Sequence, residues 1–217
     1  EVWLMRLQFE SQLEDLQKDM VFMGALCEEI INCSLEGLNG PESLDQERIQ
    51  QTYLQIEELE RDIEARCIKL LLRQQPVARD LRTVSSALKM VYDMKRIGAQ
   101  SSEIADLISR NTIDLVDEIP LVKKMAEQVT QMVVGSLDAF VKESDHLAHE
   151  VIEKDDTVDQ YFGTIKEKLA NYLGNHSANG DQAIDLLMIA KYLERIGDHA
   201  VNIAKWVHYA ITGQLEG

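Results

Sequence analysis

Proline is almost missing from this chain: of 217 residues only Pro41, Pro76 and Pro120 carry it, and glycine occurs just 11 times. With so few chain breakers and 6% aromatic residues, the composition disfavours a sheet-rich fold of many tight turns and favours long, uninterrupted helices. Cysteine is equally sparse. Cys27, Cys33 and Cys67 form no C-x-x-C pair, which points away from a disulfide framework and from a cysteine zinc site, and toward buried free thiols in a reducing compartment. No apolar run approaches the ~18 residues of a transmembrane helix, and the opening residues lack the apolar core of a signal peptide. A cytoplasmic location is the expectation.

Positive charge is also in deficit. The 22 Lys and Arg against 38 Asp and Glu leave a net charge of −16, which disfavours nucleic acid or an anionic lipid surface as a partner held by general electrostatics. Cations and basic proteins remain compatible with it. A nucleophile elbow, a phosphate-binding glycine loop and a zinc-protease motif are all missing, so an enzyme reading has no motif to rest on.

What the chain has in quantity is apolar periodicity at three- and four-residue steps, within a 45% hydrophobic composition. Six helices are expected from it. The first runs from about Met5 to Leu38 through Leu7, Leu16, Met20, Met23 and Ile30, and stops at Asn39-Gly40-Pro41. The second runs from about Glu47 to Gln75, with Leu54, Ile56, Ile63 and Cys67 on its apolar side. Pro76 closes it and opens the third, which carries Leu81, Val84, Leu88 and Ile97 to about Arg110. A fourth starts near Pro120, a fifth spans about Ser144 to Leu173, and the segment Gly174 to Gly180 separates it from a sixth, Asp181 to about Thr212. The methionines, Met90 and Met94 included, fall on apolar stripes as core filler. The architecture predicted is all-α: two antiparallel three-helix bundles in tandem, with the first repeat at residues 5–112 and the second at 113–217.

The repetition is visible in the residues. Lys95-Arg96-Ile97-Gly98-Ala99-Gln100 returns as Glu194-Arg195-Ile196-Gly197-Asp198-His199, and Ile56, Leu59, Ile63 and Cys67 return as Val158, Tyr161, Ile165 and Leu169. A glycine inside a helix costs roughly 0.8–1.0 kcal/mol relative to alanine, so its presence in both copies predicts close approach of a neighbouring helix. Glu194 and Asp198 stand four residues apart on one helix face, as do Asp155 and Asp159 on the preceding helix. If the two helices are antiparallel neighbours, these four carboxylates converge and offer oxygen ligands to one or more cations. Asp156, His199 and Asn202 lie beside them. The competing explanation is a solvated acidic helix face. Glu143-x-x-His146 echoes half of a di-iron motif but has no second copy, and chance explains it.

The segment Gln74-Gln75-Pro76-Val77-Ala78-Arg79-Asp80-Leu81-Arg82, and above all Leu193-Glu194-Arg195-Ile196-Gly197-Asp198-His199-Ala200-Val201-Asn202-Ile203-Ala204, resemble the PhoU family of phosphate-uptake regulators. The resemblance spans essentially the whole chain from Met5. It implies two three-helix bundles related by a pseudo-two-fold axis. It also implies a cytosolic regulator that represses phosphate-starvation signalling by linking the ATPase subunit of the phosphate ABC transporter to a membrane sensor histidine kinase. Such a protein is peripheral to the membrane through its partners and is not an enzyme. Family members bind iron or zinc clusters on Glu/Asp-x-x-x-Asp motifs, one site per repeat. On this resemblance Asp155, Asp159, Glu194 and Asp198 form the second-repeat metal site. The first-repeat counterparts are Tyr53, Glu57, Lys95 and Ala99, one carboxylate in four with an ammonium added, so one metal site is expected rather than two. Two alternatives stand beside the regulator: a metal-dependent bundle enzyme or metal store, and a relative of the family serving a different phosphate transporter. A homodimer suits so amphipathic a surface, although no sequence feature fixes an interface.

Overall fold

The computed structural model describes residues 2–73, 78–110, 113, 118–175 and 180–215. Six long helices make up the fold: α1 Val2–Glu36, α2 Gln46–Arg73, α3 Ala78–Arg110, α4 Ile119–Val141, α5 Asp145–Asn175 and α6 Gly180–Thr212. Two short 3-10 turns, Gly37–Asn39 and Pro41–Ser43, join α1 to α2. Between them Gly40 adopts φ 150°, a backbone state that side chains disfavour, so the stop expected at Asn39-Gly40-Pro41 is a true reversal.

The expected helix order is what the chain forms, with a difference at the end of α5. Helix α5 continues through Gly174 and Asn175, which the sequence had placed in a loop. The hand-over at Pro76 and residues 176–179 lie outside the described residues. Pro120 sits in the first turn of α4, where its missing N–H leaves no intrahelical bond unmade. A tight corner follows α4. Ser144 N–H donates to Ala139 O while Glu143 takes φ 47°, and the Ser144 hydroxyl then accepts from Leu147 N–H to cap α5.

Within each repeat the three helices pack on one another, and the repeats meet where α3 lies on α6 and α1 on α4. Helix α3 runs antiparallel to α6, because Arg82 near its start reaches Ala210 O at 3.4 Å while Asp93 meets His199 further along. Met20, Met23, Met90 and Met94 are fully buried, as expected of core filler. The three thiols are buried and unpaired, and burial pushes those of Cys27 and Cys67 up to about 12. Leu7, Leu54 and Leu81, which the periodicity had assigned to apolar faces, are exposed at 45%, 55% and 46%. A 3.6-residue stripe is wider than the seam it packs into, so residues on its edge stay wet. No helix among the described residues is long and apolar enough to cross a membrane.

Candidate functional site

Glycine positions the predicted carboxylate face. A Cβ on Gly98 would lie 3.0 Å from Ile56 Cδ1 and 3.3 Å from Tyr53 Cδ2, so α2 and α3 approach more closely than an alanine readily allows. A Cβ on Gly197 would lie 3.5 Å from Val158 Cγ1 and 3.8 Å from Asp155 Oδ1, an ordinary contact. The expectation of close approach therefore holds at Gly98, while Gly197 leaves room for a methyl. The same comparison shows the internal symmetry in three dimensions. Ile56 and Val158 take equivalent places against the two glycines, and Tyr53 stands where the second repeat has Asp155.

Around Asp155 the predicted carboxylates come together electrostatically. Burial and the charges of Asp159, Asp198, Asp156 and Glu194 push Asp155 up to about 6. Burial and then Glu194 also raise Asp198, against the opposing charge of Lys191. Asp155 and Glu194 are half-buried, and Asp159, Asp198 and Asp156 are exposed, so the cluster opens to solvent. Glu194 is already engaged: Lys191 Nζ donates to its Oε2 at 2.5 Å, with the same ammonium 5.2 Å from the Phe162 ring centre. His199 and Asn202 are not part of this face. His199 Nδ1 lies 2.8 Å from Asp93 Oδ1 on α3, and Asn202 Nδ2 donates to the same oxygen at 3.3 Å. They join the two repeats instead. Glu143 pairs with Arg79 and His146 faces Glu150, so that motif is divided between two unrelated contacts.

In the first repeat Lys95 stands where the second has Glu194. Its Nζ donates to Glu60 Oε2 at 2.7 Å, and Glu60 is buried. Burial raises the Tyr53 phenol, as does its hydrogen-bonded neighbour Glu57, while Lys95 and Arg96 act oppositely. A cation here would meet an ammonium and a phenol where the second repeat has carboxylates. The donor set of the second repeat fits a cation; that of the first does not.

One cluster was missed by sequence reasoning. Among the described residues, Asp145, His149 and His208 each offer a ligating atom within 4.8 Å of the others. The signal was present: in the antiparallel register that sets Asp155 against Gly197, the start of α5 falls opposite the last turns of α6.

The model of the PhoU domain family matches residues 21–108 and 122–207, one match in each repeat. Over 212 residues the chain is 34% identical to the phosphate-specific transport system accessory protein PhoU homolog of Pseudomonas aeruginosa, covering 95% of this chain and 86% of that protein. The homolog of Clostridium acetobutylicum is 35% identical over 211 residues, 95% of each chain. The crystal structure of PhoU from Pseudomonas aeruginosa superposes with a TM-score of 0.89 at 32% identity, over 95% of this chain and 100% of that one. The phosphate transport system regulatory protein PhoU from Streptococcus pneumoniae gives 0.88 at 25% identity, over 96% and 99%.

Proposed function

The chain belongs to the PhoU family, and from that premise we propose that it is a non-enzymatic, cytoplasmic regulator of phosphate uptake. On this reading it couples the ATPase subunit of the phosphate ABC transporter to a sensor histidine kinase and represses the phosphate-starvation response. The observation that carries the reading is the likeness over nearly the whole length, in both repeats, to proteins named as accessory or regulatory components of phosphate transport. Its two functional units are the repeats at residues 5–112 and 113–217.

The carboxylate face of the second repeat supports a metal site of iron or zinc held by Asp155, Asp159, Glu194 and Asp198. A bound cation would supply the positive charge that these groups lack. Burial first and the neighbouring carboxylates second push Asp155 up to about 6 and raise Asp198, and a cation among these groups would relieve their mutual repulsion. Lys191 opposes loading by holding Glu194, and Asp156 adds a further oxygen at the rim.

Regulation of this kind requires that the protein bind one conformer of the transporter more tightly than another, and that kinase binding shift the same equilibrium in return. Binding of the purified protein to the isolated ATPase subunit and to the kinase cytoplasmic region is the direct measurement. Failure to bind either, with or without iron or zinc, would overturn the regulatory reading. For the metal site, elemental analysis is expected to show a lower metal content in an Asp155→Ala/Glu194→Ala variant than in the parent. Equal content would remove these residues from the ligand set.

A further inference from the structure

Where the start of α5 lies beside the end of α6, Asp145 opens α5, His149 lies one helical turn on, and His208 projects from the last turns of α6. His208 Nδ1 lies 2.5 Å from Asp145 Oδ1, and His149 Nδ1 lies 3.6 Å from the same oxygen. The two imidazoles meet edge to face with centroids 5.1 Å apart. Ten residues of helix, about 15 Å, separate Asp145 from Asp155, so this is a different place from the carboxylate face.

The hydrogen bonding around His208 sets which of its nitrogens faces the carboxylate. The Thr212 hydroxyl donates to His208 O at 2.9 Å and its oxygen lies 3.3 Å from His208 Nε2. His208 Nδ1 is the nitrogen that points at Asp145 Oδ1. At that separation His208 Nδ1 and Asp145 Oδ1 share either a proton, as a hydrogen bond, or, in a loaded site, a metal ion. His149 completes the set from a turn away. Its Nδ1–H donates to Asp145 O at 2.9 Å, which fixes the ring through the helix backbone and gives Nε2 the lone pair that a metal would take.

We propose that Asp145, His149 and His208 form a binding site for one divalent transition-metal ion of the zinc class. Two imidazoles and one carboxylate are the donors of borderline metals, in contrast to the oxygen-only face at Asp155 and Glu194, and they leave coordination positions open. Metal–ligand bonds of about 2.0–2.2 Å place neighbouring donor atoms a little over 3 Å apart. Each of the three residues offers a ligating atom within 4.8 Å of the others, and the 2.5 Å pair opens by a small side-chain rotation. Access and support are both present. Asp145 and His149 are 40% and 45% exposed while His208 is 9% exposed, and Thr212 orients the buried ring from behind as a positioning residue. The ion would tie the first turn of α5 to the last turns of α6.

The test uses the full chain carrying Asp155→Asn/Glu194→Gln, so that the carboxylate face cannot supply the signal. Cobalt(II) is the probe, since its complexes with imidazole absorb in the visible. One equivalent is expected to bind, to shift the ring-proton resonances of His149 and His208, and to be displaced by zinc but not by equimolar magnesium. His149→Gln replaces a half-exposed side chain and is expected to weaken binding at least tenfold with the circular dichroism unchanged. Thr212→Val is expected to weaken it by about 10–100-fold. No cobalt binding in the Asp155→Asn/Glu194→Gln protein, or unchanged affinity in His149→Gln, overturns the proposal. Either result leaves the carboxylate face to be judged on its own.

Discussion

Lys95 Nζ lies 2.7 Å from Glu60 Oε2, and this pair fills the first repeat where the second has Glu194. Glu60 is buried, and that ammonium is its hydrogen-bond partner. Its hydrogen bond to Glu60 is also the largest influence raising Lys95 above the ordinary lysine value. Lys95→Met is expected to lower stability by about 1–3 kcal/mol, the cost of leaving a buried polar group without its partner. Adding Glu60→Leu should return most of the loss, because an apolar pair often replaces a buried ion pair without penalty. Urea unfolding of the two single variants and the double variant measures this, and additive losses would exclude the coupling.

The paired glycines predict opposite results for one substitution. Gly197→Ala places its methyl in ordinary contact and gains the helix propensity of alanine, roughly 0.8–1.0 kcal/mol. Gly98→Ala meets Ile56 Cδ1 at 3.0 Å and must displace it, which offsets the same gain. Thermal unfolding should therefore rank Gly197→Ala above the parent and Gly98→Ala below Gly197→Ala.

How far the sequence reached is clear at these positions. The 99- and 102-residue offsets and the apolar period located all six helices, and they mapped Tyr53 onto Asp155 correctly because both depend only on contacts within a repeat. Contacts between repeats were out of reach. His199 and Asn202 were placed beside the carboxylates by helix spacing, yet they turn to Asp93. Which residue of α3 faces α6 is set by the sliding register of two long helices, and no local pattern encodes it. The same limit hid Gly24, whose missing side chain makes room for Leu137 of α4: a Cβ there would fall 2.0 Å from Leu137 Cδ1.

Asp155 gives a pH dependence whose sign follows from its shift. Its folded value is raised to about 6 from 3.8, so the folded state holds the proton more tightly than the unfolded one. The contribution is fully present below the unfolded value and is lost as pH rises through about 6. Asp155→Asn is therefore expected to stabilise the metal-free protein at pH 7–8 relative to the parent, and the advantage should shrink toward pH 4. Equilibrium unfolding across that window checks it, and an advantage that grows on acidification would contradict the assignment.

The Asp93–His199 contact predicts a loss that is felt between the repeats. Asp93 is buried and accepts from both His199 and Asn202. His199→Ala is expected to cost about 1–3 kcal/mol and His199→Gln less, since the amide can still donate. Hydrogen exchange should show the added opening in α3 and α6 rather than in α2. Equal protection in the two variants would remove the contact from the interface.

Asp198 and His199 are neighbours in sequence, but on a helix they point about 100° apart. One belongs to the face shared with α5, the other grips Asp93 in the first repeat. Helix α6 is thus a common axle. Asp198 and the residue that holds Asp93 are therefore carried by the same turn of α6. The two repeats thus share one helix, with the carboxylate face on one side of it and the contact to the other repeat on the next.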